Sequence, residues 1–214
     1  MKWKYKGNRY VETGKIAAAL EAYNQALGSC VGEKQEGIIL LLRSAAYLEQ
    51  AKSHKQILQS AVEDWSLPDS DDVRSLILGS TSAAAEGSAF AVSVLQRLVL
   101  DARRHQLELK RIQFRHGLYQ YALLRATQDA LRATELLPNY SASWLRAGEL
   151  LGELWKLKKS RQYYQKAISI DENLRERLEP VLEGLTKRQE MLDRARANRD
   201  WSEDSLRLAL DVIA

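Results

Sequence analysis

Two histidines and a run of cations are the residues best placed to do chemistry. His54 and His116 face each other if two long amphipathic stretches pair with Ala51 opposite Tyr121. Two imidazoles could hold a metal or sense pH, but no third ligand accompanies them, and the heptad spacing favours a seam between helices. Arg103-Arg104-His105, Lys110-Arg111 and Arg115-His116 form a basic run on one helix. That run could meet nucleic acid. No glycine–aromatic recognition motif goes with it, however, and Glu108 interrupts it, so a solvated helix face is the better reading. Cys30 is the single cysteine, which excludes an internal disulfide and suits a reducing compartment. No neighbouring histidine would activate its thiol. The sequence has no Gly-rich phosphate loop, Cys-x-x-Cys, His-Glu-x-x-His or Gly-x-Ser-x-Gly. A non-enzyme without cofactor or metal is expected.

The elements that carry these residues are helical. The 214 residues include only three prolines, and Leu, Ala, Glu, Lys and Arg are abundant. No uninterrupted apolar stretch reaches the length of a membrane span, and the longest, Gly37 to Leu42, has the length of a core segment. The net charge of +4 is mildly basic. It would suit acidic peptides or nucleic acid, although most such excess is solvated surface.

Small and aromatic residues recur at fixed spacing. Trp3, Gly7 and Tyr10 are followed by a break at Gly14, then by Ala19, Tyr23 and Ala26. Trp144, Gly148 and Leu151 return at the same spacing, followed by Ser160, Tyr164 and Ala167. Small residues mark where helix backbones approach, and the aromatic residues fill the space between them. The pattern resembles the tetratricopeptide repeat family. That resemblance implies an all-α, right-handed superhelix of helix pairs that binds peptides on its concave surface and does not catalyse.

The second repeat reads as split. Leu40 and Arg43-Ser44-Ala45-Ala46-Tyr47 fit a first helix, with Ser44 at the small position. The partner positions appear only at Ala126, Ala130 and Ala133, before Pro138. An insertion of about 70 residues between the two helices follows. Sustained 3/4 spacing on both sides predicts an antiparallel coiled-coil arm. Its first strand, from Ala51 to Trp65, extends on the order of 20 Å. Ser66 to Asp72 reads as a turn and an acidic helix start, Val73 to Leu78 as a tip helix, and Ser80 to Ser88 as a small, polar stretch. Trp65, Val73 and Phe90 are the candidate interaction surface of the arm.

The expected organisation is a repeat array over 1–51 and 117–171. Repeat 1 covers about 1–32, repeat 2 about 36–51 plus 117–138, and repeat 3 about 141–171. The arm occupies 52–116, and capping helices occupy 172–214. Leu174, Leu178, Val181, Leu182, Leu185 and Leu192 would form the capping face of a helix interrupted by Pro180. Ser202, followed by Glu203 and Asp204, would open a further helix after Trp201. Trp3 already holds a signature position, so no signal or transit peptide is expected before it. The chain stops in mid-pattern at Leu210 to Ala214, which suggests a piece of a longer protein.

The resemblance extends to heat-shock co-chaperones, whose carboxylate clamp grips an acidic C-terminal Glu-Glu-Val-Asp tail with two Lys, two Asn and one Arg. It implies peptide-binding roles for Lys4, Asn8 and Arg146. The remaining Asn and Lys positions hold Leu42 and Ala142, which implies a weakened clamp. Some family members join such an array to a J domain, but no His-Pro-Asp motif is present. The expected function is a protein–protein adaptor of co-chaperone type, cytoplasmic or nuclear, with a peptide or chaperone tail as partner and no membrane role. A basic RNA-associated module is one alternative, and a scaffold that dimerises through the arm is another.

Overall fold

The computed structural model describes residues 2–63 and 88–198. Every regular element among them is helical: α1 (Lys2–Glu12), α2 (Ile16–Gly28), α3 (Glu33–Glu63), α4 (Ser88–Leu136), α5 (Ser141–Glu153), α6 (Leu157–Ile170), a 3₁₀ turn (Glu172–Leu174) and α7 (Arg175–Asn198). The chain divides into two compact units, residues 1–53 with 118–214, and residues 54–117. Several expected features lie outside the described residues. These are the turn after Trp65, the tip helix with Val73, the polar stretch up to Gly87 and the helix after Trp201. The side chain of Phe90 lies outside them too.

In the first unit α1 packs on α2 and α5 on α6. Both contacts rest on the same exchange of volume. A Cβ on Gly7 would sit 2.5 Å from Tyr23 Cε1, and one on Gly148 would sit 3.1 Å from Tyr164 Cδ1. In each case the ring occupies space that any other residue would claim. Ser160 adds a hydrogen bond from its Oγ to the Gly148 carbonyl at 2.7 Å. Burial raises the Tyr164 phenol to about 12, with Glu149 and Glu153 contributing. Trp3 was expected to fill the space between helices. It is instead 38% exposed, with the Lys6 ammonium 4.7 Å from its ring centroid.

The turns within the two pairs also match. Lys15 N–H donates to the Tyr10 carbonyl at 2.8 Å, and Lys156 N–H donates to the Leu151 carbonyl at 2.9 Å. These six-to-one bonds close a helix through one left-handed residue. In the first pair that residue is Gly14, at φ 69°. In the other it is Trp155, at φ 56°, where a bulky side chain is strained. The indole packs against the cluster of Leu157, Tyr164, Ile168, Leu178 and Leu185, which holds the turn in place.

α3 and the C-terminal part of α4 form the remaining pair, running antiparallel. Gly37 lies against Leu137, whose Cγ would be 2.7 Å from an added Cβ. Two turns further along α3, Arg43 reaches Asp129 on α4. Ser44, Ala46, Ala126, Ala130 and Ala133 are completely buried between them. No tyrosine stands at the Ala130 position, so Ser44 can replace the glycine used in the other pairs.

α7 packs on α6 through Leu178 and Leu185, flanked by Leu174, Leu182 and Leu192. Two expectations for this segment are corrected. The helix runs through Pro180 without ending there, forgoing one backbone hydrogen bond in its second turn. Val181, expected on the packed face, is 41% exposed, because the face is set by the 178–185 spacing and Val181 falls beside it.

In the second unit His54 and Arg115 are close enough to interact electrostatically. The His54 Nδ1 is shielded from solvent and accepts no hydrogen bond. Desolvation, then the charge of Arg115, lower its pKa below the usual 6.5. A lowered folded-state pKa means the unfolded chain binds the proton first. Stability is therefore unaffected well above 6.5 and falls as pH drops below it, until the folded-state group also protonates. Melting curves should show a loss between pH 7.5 and pH 5 that is smaller in His54→Gln. An identical loss in both proteins would exclude His54 as its source.

A candidate peptide-binding surface on the first helix of each pair

Lys4 and Asn8 stand one helical turn apart on α1, and Arg146 stands on α5. Each meets a partner of its own, and none of these contacts links two of the three. Lys4 Nζ lies 4.9 Å from the Tyr5 ring centroid. Its side chain also lines a pocket with Ala26, Cys30, Gln35, Ile38 and Ile39. The floor of that pocket is aliphatic and its one cation is Lys4. It suits a short apolar side chain close to a negative charge.

Asn8 is half-buried, and its Oδ1 accepts a hydrogen bond from the Tyr23 hydroxyl at 2.9 Å. This bond fixes the amide orientation and directs the Nδ2 donors to the opposite side, which is the polarity a carboxylate requires. Burial, then Glu12, raises the Tyr23 pKa, so the phenol remains a donor at neutral pH. Arg146 is committed elsewhere. Its Nη1 donates to Glu149 Oε2 at 2.6 Å, with the two side chains 29% and 39% exposed. An anionic ligand at Arg146 would compete with Glu149.

Leu42 and Ala142 are half-buried and supply no donor, so the surface is apolar where the co-chaperone pattern has an amide and a cation. Sequence reasoning missed Arg43, the residue next to Leu42. Its Nε and Nη2 donate to both Asp129 oxygens at 2.7 Å, and its Nη1 donates to Asn24 Oδ1 at 2.6 Å. The other constellations offer less. Arg103, Arg104, Lys110, Arg111 and Arg115 are exposed, and Arg111 donates to Glu108 at 2.7 Å. Among the described residues no group of three or more His, Cys, Asp or Glu could hold a metal. No helix among them is long and apolar enough to cross a membrane.

Comparison with known families adds one assignment. Residues 141–174, which span α5, α6 and the 3₁₀ turn, match the tetratricopeptide repeat. A repeat of this kind is a protein–protein interaction module. No curated protein and no solved structure matches the chain.

Proposed function

We propose that the protein is a non-catalytic adaptor that holds a peptide or C-terminal tail against α1, α3 and α5. The observation that carries this is the repeat at 141–174, with its glycine–tyrosine contact and turn reproduced in α1 and α2. In this reading α3 and the end of α4 form a second repeat, whose two helices are separated by an inserted arm over 52–116. Residues from 172 onwards cap the array.

The co-chaperone part of the reading is narrower. It rests on the resemblance of Lys4, Asn8 and Arg146 to a carboxylate clamp, and it favours an acidic tail with a small aliphatic side chain just before its terminal residue. The pocket beside Lys4 supports the aliphatic side chain, and the Asn8 donors support the carboxylate. Calorimetry with a Glu-Glu-Val-Asp peptide should show binding that amidation of the terminus removes. Arg146→Ala should weaken it by about 1.5–3 kcal/mol, the range for a hydrogen bond to a charged group. Glu149→Gln frees the guanidinium and should strengthen it. Leu42→Asn with Ala142→Lys should strengthen it further. No binding at millimolar peptide, in either the natural or the repaired protein, would rule out the clamp and leave the adaptor reading to a different peptide class.

A further inference from the structure

Two turns apart on the part of α4 that belongs to the second unit, Leu107 and Phe114 are 59% and 67% exposed. Seven residues of helix bring them within about 20° of one another around its axis. Ile112 and His116, on the opposite side of the same stretch, are half-buried. One face is therefore packed and the other leaves apolar surface in solvent. Cations border that surface on both sides, Arg103 and Lys110 on one and Arg104 and Arg111 on the other, all of them exposed. From 103 to 115 the sequence has five cations and one carboxylate, Glu108, which already accepts from Arg111 at 2.7 Å. On the Lys110 side a Cβ added to Gly117 would meet nothing within 4 Å, so no described chain walls the helix there.

This combination selects among partners. A second copy of the face would set cation against cation. A partner helix lying along Leu107 and Phe114 would need an apolar side chain at 110 or 111 as well, because a packed seam alternates steps of three and four residues. Lys110 and Arg111 stand there, and such a seam would bury their charges. Nucleic acid would suit the cations but gain nothing from Leu107. An anionic bilayer suits all of these residues. Leu107 and Phe114 can enter the boundary between headgroups and acyl chains, while the Lys and Arg stems snorkel to the lipid phosphates. A flat surface also takes the convex side of one helix and requires no groove. We propose that this face of α4 docks on an anionic membrane surface, a peripheral contact that needs no spanning helix. It is independent of the peptide surface on α1, α3 and α5.

The test is flotation of the full chain with vesicles of phosphatidylcholine alone or of equal parts phosphatidylcholine and phosphatidylserine. The chain should float with the mixed vesicles and stay behind with the neutral ones. Arg103→Gln with Lys110→Gln should weaken partition about 25-fold, at about fivefold per cation. Leu107→Gln with Phe114→Gln should weaken it about tenfold and leave the melting temperature unchanged, since both side chains are exposed. Lys158→Gln with Arg161→Gln removes the same charge from α6 and should change partition by less than about threefold. Four results overturn the proposal: no flotation with the mixed vesicles, equal flotation with neutral ones, flotation indifferent to the Leu107 and Phe114 pair, or tighter binding of polyuridine or polyglutamate through the same residues. The last would assign the face to nucleic acid or to an acidic protein.

Discussion

Arg43→Ala is expected to cost about 3–5 kcal/mol of folding stability. The Arg43 and Asp129 side chains are only 13% and 8% exposed, and they meet in a two-pronged contact at 2.7 Å. Removing the guanidinium strands a carboxylate where water cannot replace its partner. The third bond, to Asn24, ties α2 to the α3–α4 pair, so adjacent helix pairs should loosen together. Urea melts measure the loss directly. The pair itself need not be a net source of stability, because well-packed apolar replacements often match a buried ion pair. Arg43→Met with Asp129→Leu should therefore recover most of the loss. A single Arg43→Ala that costs under 1 kcal/mol would mean that solvent screens the contact.

Tyr23→Ala should cost about 3–5 kcal/mol, the range for removing a large buried ring. Tyr23 is 1% exposed and fills the space that Gly7 leaves open. Gly7→Ser alone should cost about 1–3 kcal/mol, since its Cβ overlaps that ring. The informative quantity is the coupling. In a Tyr23→Ala background Gly7→Ser should become nearly neutral, because the α3–α4 pair already combines a buried Ser44 with an Ala130. Strict additivity would show that ring and glycine do not share one space.

The helical pairing was legible because close approach of two backbones permits few residues, and those residues recur at fixed spacing. Gly7 with Tyr23 and Gly148 with Tyr164 are such pairs. Arg43 and Asp129 lack a local signal, since 86 residues separate them and nothing in the spacing around either one points to the other. Trp155 was illegible for the opposite reason: a glycine position holds a bulky residue that sequence rules disfavour, and its packing on the buried cluster between α6 and α7 makes it tolerable. The candidate surface was legible as residue types but not as chemistry. Arg146 could be placed by resemblance. Its engagement by Glu149, three residues along the helix, followed from ordinary helical spacing and decides how strongly an anion can compete.

The separation between α3 and its partner also acts during synthesis. Chains emerge at about 5–20 residues per second, so Asp129 follows Arg43 by about 4–17 s. By the time α3 emerges, α1 and α2 already have each other, and α5 and α6 will pair as soon as both are made. The face of α3 that carries Gly37, Arg43 and Tyr47, which meet Leu137, Asp129 and Arg125 in the finished fold, must meanwhile wait without the α4 segment that covers it. The nascent chain thus passes through an interval in which this face of α3 is exposed to solvent, to neighbouring chains and to any chaperone at the ribosome.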